Sequence, residues 1–145
     1  RGHRVFAVLF VDLDGFKQIN DLLGHDAGDT VLRVTADRLR SGLRATDTVA
    51  RFGGDEFAII LEDLARAEDA RPTAQRVIES LQEPIDVGGT PARVSASVGI
   101  AINAVGATAT DIMRDADAAM YAAKTAGKNR YAEAAAQVSG SLDGY

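Results

Sequence analysis

The sequence predicts a mixed α/β fold of the α+β type, one sheet with helices packed mainly on one of its faces. Three observations carry that expectation. Val5–Val11 reads VFAVLFV, an unbroken apolar run that suits a strand buried on both faces. Two further pairs of strand-like segments are joined by Gly-Gly, at Gly53-Gly54 and Gly88-Gly89, the residues tight hairpin turns favour because they tolerate positive φ. Between these lie stretches of helical period, giving the order β-α-α-β-β-α-β-β-α, which fits a ferredoxin-like topology with βαββαβ at its heart.

The elements follow in order. The first strand ends in Asp12-Leu13-Asp14-Gly15, and Phe16, Ile19, Leu22 and Leu23 then recur at helical spacing up to a stop at Gly24. Asp29 is placed to N-cap a second helix reaching about Arg40, with Val31, Leu32, Thr35 and Leu39 inward. Thr48–Phe52 and Glu56–Leu61 form a hairpin. Arg66–Leu81 reads as helix, with Pro72 in its first turn, where a missing N–H costs nothing. Ile85–Val87 and Ala92–Ile102 read as the arms of the second hairpin, and Val94, Ala96, Val98, Ile100 and Ile102 alternate with smaller residues. A last helix starts at Thr110 or Asp111 and closes at Gly127; beyond Arg130 comes a short end strand and then an Ala/Ser/Gly-rich tail.

Composition narrows the function. The chain has 145 residues, one domain's worth, with 46% hydrophobic and 26% charged residues. It contains no Cys, so disulfides, thiolate metal sites and thiol nucleophiles are excluded, and only His3 and His25 offer imidazole. No apolar run approaches a membrane span and no signal peptide opens the chain, which points to the cytoplasm. Sixteen Lys and Arg against 21 Asp and Glu give a net charge of −5, a poor balance for gripping a nucleic-acid polymer. What remains is an enzyme or binding module built on carboxylates, lysines and glycines.

Four groups of residues carry candidate chemistry, each with a purely structural alternative. Asp12-Leu13-Asp14 places carboxylates at the end of a buried strand, where hard cations and phosphates bind in many α/β proteins; alternatively, Asp14 caps the next helix and Asp12 is a turn residue. Gly53-Gly54-Asp55-Glu56 offers bare backbone for a bulky anion beside two acids, or is an exposed acidic turn. Lys17, Lys124 and Lys128 supply aimed positive charge, although Lys124 and Lys128 also suit a helix C-terminus. Asn20 and Asp29 could read a guanine edge, since a carboxylate accepts from two adjacent N–H groups, or serve as turn former and cap.

The blocks VDLDGFKQIND, LGHDAGDTVL, RFGGDEFAIIL, VSASVGIAI and DADAAMYAAKTAGKNR closely resemble, in order and spacing, those of the GGDEF family of bacterial diguanylate cyclases. The resemblance covers about Val5 to Tyr131. It implies a cyclase fold related to nucleotide-polymerase palm domains, with a domain at 1–131 and a tail or linker at 132–145. It implies that two GTP are joined into cyclic di-GMP with release of two pyrophosphates, across a homodimer whose domains each hold one GTP. By position, Asp12, Asp55 and the Leu13 carbonyl match the ligands of two Mg²⁺ ions, a role Mn²⁺ can also fill. Asn20 and Asp29 match guanine readers; Lys17, Lys124 and Lys128 match phosphate contacts, with Lys17 nearest the reacting group. Gly53 and Gly54 match the turn that admits the phosphates, and Asp55 with Glu56 the acidic pair assigned to metal binding and 3′-OH activation. Arg44-Ala45-Thr46-Asp47 stands nine residues before Gly53, in register with the family's product-inhibition site. There Arg44 would pair with product phosphate or guanine and Asp47 with a guanine edge; alternatively the two form a local salt bridge at a loop. The Asp-x-Leu-Thr-Gly-Leu segment that usually precedes the first strand is not among these 145 residues. The family also implies fusion to sensory and phosphodiesterase domains, in a parent protein that other segments could anchor to a membrane. The alternative function is a catalytically silent module that binds GTP or cyclic di-GMP for a neighbouring domain.

Overall fold

The computed structural model describes residues 5–103 and 107–135; His3 and most of the expected tail, residues 136–145, lie outside them. The apolar run becomes β1 (Val5–Asp14), which is longer than expected because Asp12 and Asp14 continue the strand, buried like their neighbours. Strand β1 is the centre of a five-stranded sheet of order β2-β3-β1-β6-β7. It pairs antiparallel with β3 (Glu56–Leu64) on one side and β6 (Ser95–Ile102) on the other. β2 (Thr48–Arg51) forms an antiparallel hairpin with β3, and β7 (Arg130–Glu133) runs parallel to β6.

Alternation along β1 divides the core in two. Leu9, Val11 and Leu13 face the layer made by α1 (Phe16–Leu23), α2 (His25–Ser41) and α3 (Ala70–Leu81), whose Ile19, Val31, Leu39, Val77 and Leu81 are buried there. Val8 and Phe10 face α4 (Ala109–Thr125) through Ile112, Ala116 and Met120. Asp12 and Asp14 share the parity of Val8 and Phe10, so both emerge on the α4 face. Gly99, opposite Phe10 on β6, is what lets α4 settle: a Cβ there would lie 2.1 Å from the Ala116 carbonyl oxygen and 2.2 Å from the Met120 nitrogen.

Four expectations need correction. Asp29 is not the N-cap of α2; the helix begins a turn earlier at His25, with Gly24 as its cap, and a φ of 96° lets this single glycine end α1 and start α2. The second hairpin is shorter than read: β4 (Ile85–Val87) pairs with β5 (Thr90–Ala92) in a separate ribbon, and after Arg93-Val94 the chain leaves to join the main sheet as β6. Helix α4 starts at Ala109 because Thr108 and Asp111 cap each other, the Asp111 N–H donating to Thr108 Oγ1 and the Thr108 N–H to Asp111 Oδ2, each at 3.1 Å. The segment from Arg66 opens as a single 3-10 turn, Ala67–Asp69, before α3. Pro72 does sit in the first turn of α3.

Candidate active site

Register and the β2–β3 turn bring three acids, Asp12, Asp55 and Glu56, to one end of the inner strands. Asp12 is directly opposite Glu56 on β3 and Ser97 on β6. Asp55 stands at the end of the β2–β3 turn, and its carbonyl accepts from the Leu13 N–H at 3.1 Å, tying the turn to β1. The turn is closed by the Phe52 N–H donating to the Glu56 carbonyl at 2.8 Å. Arg51, which sequence reasoning passed over, grips it from outside: Nε donates to the carbonyls of Gly53 and Gly54 at 3.1 and 3.2 Å, and Nη2 to that of Gly54 at 2.9 Å.

Gly53 and Gly54 do not adopt the positive φ their pairing leads one to expect; Gly88 and Gly89, at 59° and 90°, do. What the first pair contributes is room. A Cβ on Gly54 would meet nothing within 4 Å, and one on Gly53 only Glu56 Oε1 at 3.7 Å, so a large ligand can approach the backbone from open space.

Asp12 is 9% exposed and its Oδ1 is buried without a hydrogen-bond partner. Burial, then the charge of Asp55, push its carboxyl up to about 6, against the pull of Lys124; Glu56 adds to the rise. Lys124 reaches down from α4, its Nζ 3.2 Å from Asp12 Oδ2 and 2.9 Å from Asp14 Oδ1. Asp14 does not cap α1, whose N-cap Gly15 makes no side-chain bond. Instead it accepts from Ser95 Oγ at 2.7 Å, Ser97 Oγ at 2.8 Å and the Asn129 N–H at 3.1 Å, besides Lys124. Burial opposes its charge, but the hydrogen bonds from Ser95, Lys124, Ser97 and Asn129 outweigh it and hold the carboxyl below its usual range. Lys128 is exposed in the turn after α4. Lys17 lies on the outer side of α1, 3.4 Å from Asp21 rather than beside Asp14.

Asn20 lies against the start of α2 across a missing side chain. Gly28, just before Asp29, packs on Asn20 so closely that a Cβ would lie 2.0 Å from Asn20 Oδ1. That amide oxygen is buried without a partner, an acceptor awaiting a donor. Asp29 is exposed on the second turn of α2, at a groove of about 310 Å³ that Arg33, Arg51 and Phe57 also line. Gly28→Ala is therefore expected to displace Asn20 with the helical CD spectrum unchanged. On the guanine-reading role that the resemblance implies for Asn20, it should also weaken GTP binding about tenfold in titration calorimetry, the worth of one buried hydrogen bond.

Arg44 and Asp47 form a pair of their own. Nη2 is 3.0 Å from Asp47 Oδ1, Nε is 3.3 Å from Oδ2, the Arg44 N–H donates to Oδ2 at 2.9 Å, and Nη2 also donates to the Glu62 carbonyl. They edge a cavity of about 340 Å³ that Asp63, Asp69, Pro72 and Arg76 share. Arg76, on α3, is a second guanidinium there that only the tertiary fold brings into view.

The family model of the diguanylate cyclase GGDEF domain matches residues 1–130. The chain belongs to the GGDEF family of diguanylate cyclases. Among its relatives are the diguanylate cyclase TpbB of Pseudomonas aeruginosa, 50% identical over 88% of this chain and 30% of TpbB, and the bifunctional diguanylate cyclase/cyclic di-GMP phosphodiesterase MucR of the same species, 46% identical over 90% of this chain and 19% of MucR. The chain thus spans less than a third of these relatives' length. The crystal structure of the TpbB GGDEF domain superposes with a TM-score of 0.88 at 46% identity, covering 91% of this chain and 83% of that one. The GGDEF domain of DgcB from Caulobacter crescentus, solved with c-di-GMP, gives 0.85 at 30% identity over 90% of this chain and 78% of that one. In this GGDEF domain the motif of the family is Gly53-Gly54-Asp55-Glu56-Phe57, with Phe57 buried as the anchor of β3 beneath the turn.

Proposed function

We propose that this domain condenses two GTP into cyclic di-GMP with release of two pyrophosphates, in a homodimer whose facing domains each present one nucleotide. The observation that carries the reading is the buried, unpartnered Oδ1 of Asp12 beside Asp55, with Lys124 at the same end of the strands. An orphaned buried carboxylate oxygen beside a second, half-buried carboxylate fits a divalent cation. Among the described residues no three acidic or imidazole side chains close into a cage, which suits a cation held by Asp12, Asp55 and the Leu13 carbonyl together with substrate phosphates. Mg²⁺, two per site, is the proposed ion, with Mn²⁺ a substitute; such ions screen the triphosphate and the charge on the transferring phosphoryl group.

The chain's own residues then divide the work. Asn20 and Asp29 read the guanine edge, and Gly53 and Gly54 leave space for the triphosphate. Lys17, Lys124 and Lys128 bind phosphate oxygens. Asp55 and Glu56 flank the attacking 3′-OH, whose oxygen bonds to the α-phosphorus of the facing GTP as the bond to pyrophosphate breaks, its proton passing to the acidic pair. Pairing two domains converts a meeting of two nucleotides into a local reaction. The parent protein is proposed to work in the cytoplasm, where GTP is abundant, and to carry sensory or phosphodiesterase domains like that named in MucR. No helix among the described residues is long and apolar enough to cross a membrane.

Arg44 and Asp47 are the proposed inhibitory site for cyclic di-GMP: the guanidinium pairs with phosphate or guanine, and Asp47 with a guanine edge. Arg44→Ala is expected to raise the product concentration needed for half-inhibition by about tenfold or more, one charge-assisted bond's worth, with the initial rate unchanged in a pyrophosphate-release assay.

One observation favours the silent-module reading: a protein named as the cyclic di-GMP phosphodiesterase NbdA is 42% identical over 85% of this chain. The intact Asp55-Glu56 pair weighs against it. The test is a tethered homodimer supplied with GTP and Mg²⁺; cyclic di-GMP and pyrophosphate in a 1:2 ratio are expected, whereas calorimetric binding of GTP without any product establishes the silent module.

A further inference from the structure

The geometry points to Asp14 as a positioning residue that sets Lys124 and the Lys128 turn for the nucleotide's phosphates; this rests on the cyclase reading above. Asp14 is 6% exposed and takes four donors from three elements: two serine hydroxyls of β6, the ammonium of Lys124 on α4 and the Asn129 N–H before β7. A buried carboxylate so fully satisfied is fixed in place.

What it fixes is costly to hold by other means. From Gly127 to Asn129 the backbone runs through three consecutive positive φ values, 132°, 66° and 53°. Glycine accepts this and asparagine tolerates it; Lys128 does so only under constraint. The turn is held by the Gly127 N–H on the Lys124 carbonyl at 3.3 Å, the Lys128 N–H on the Ala123 carbonyl at 3.0 Å, Arg130 Nε on the Lys128 carbonyl at 3.0 Å, Gln82 Nε2 on Asn129 Oδ1 at 2.9 Å, and the Asn129 N–H on Asp14. Lys128 rides on this strained turn. Lys124, one helical turn before it, is drawn to Asp12 and Asp14 together; with Asp14 removed, Asp12 alone would claim it. Asp14 thereby keeps the second cation from collapsing fully onto Asp12, whose other oxygen is the unpartnered one.

Asp14→Asn tests this, because an amide turns one acceptor into a donor facing Lys124 or the Asn129 N–H. Calorimetry is run on the domain with Ca²⁺, well below the variant's melting temperature, using GTP and guanosine. Expected is a loss of GTP affinity of about tenfold or more with guanosine binding unaltered, since Asn20 and Asp29 are untouched. Asp14→Asn combined with Lys124→Met should lose less than the sum of the two single losses, because part of the effect of Asp14 passes through Lys124. Equal losses for GTP and guanosine, or additive losses in the double variant, overturn the proposal. If Asp14→Asn fails to fold, Ser97→Ala, which removes the 2.8 Å bond to Asp14, carries the same comparison with an expected loss of about threefold. A wild-type domain that binds no GTP refutes the cyclase reading itself; one that binds it, beside a variant that binds it equally well, refutes only the role of Asp14.

Discussion

Asp55→Ala in a tethered dimer is expected to cut cyclic di-GMP formation by about a thousandfold or more, a loss of roughly 4 kcal/mol of transition-state stabilisation. The variant should fold as well as the parent. Among the described residues only the backbone carbonyl of Asp55 is used structurally, by the Leu13 N–H, and alanine retains it. Removing the side chain even relieves a conflict, because the charge of Asp55 is the second cause, after burial, that lifts the Asp12 carboxyl to about 6. The sign follows from linkage. A carboxyl whose pKa is raised by folding binds protons more tightly in the native state, so its ionisation costs stability as pH rises from about 3.8 and costs most above 6. Asp55→Ala should therefore melt at or slightly above the wild-type temperature at pH 8 and at the same temperature below pH 4. A variant that keeps a tenth of the product, or that melts lower at pH 8, contradicts the proposed division between a chemical side chain and a structural carbonyl.

The sequence exposed most of this site and little of how it is supported. Asp12 was legible because an apolar run stopped at it, and Asp55-Glu56 because two glycines marked a turn between strand-like segments. Both signals are local. Asp14 read as a cap because capping is what an acid before a helix usually does; that it turns inward depends on Ser95 and Ser97 across the sheet and Asn129 at the far end of α4, which no spacing announces. The early start of α2 was hidden for a related reason. Gly24 reads as a stop, and only its φ of 96° shows that it ends one helix and begins the next without a loop. The second hairpin was over-extended because apolar alternation continues through Val94, while the partners of the two halves differ: β5 pairs with β4, and β6 with β1. Arg51 and Arg76 were missed because an exposed arginine has no sequence signature until its acceptor or cavity is known.

Gly99 and Gly54 separate the two uses of glycine. Gly99→Ala is expected to destabilise the domain by about 3 kcal/mol or more, at the upper end for overpacking, and to lower its melting temperature by about 10 °C for a chain of this size. The added methyl would lie 2.1 Å from the Ala116 carbonyl oxygen and 2.2 Å from the Met120 nitrogen. Backbone cannot rotate aside as a flexible side chain would, so α4 must lift from β6. Lys124 sits one turn beyond Met120 and would be carried off Asp12 and Asp14 with the helix, so catalysis falls along with stability. Gly54→Ala inverts the pattern: its methyl meets nothing within 4 Å and the residue does not need positive φ, so melting should stay within about 2 °C while GTP binding weakens as the methyl enters the phosphate path. Differential scanning fluorimetry and GTP calorimetry on both variants decide the matter. A Gly99→Ala domain that melts like the wild type would mean that α4 does not owe its seat, and Lys124 its place, to the bare backbone of β6.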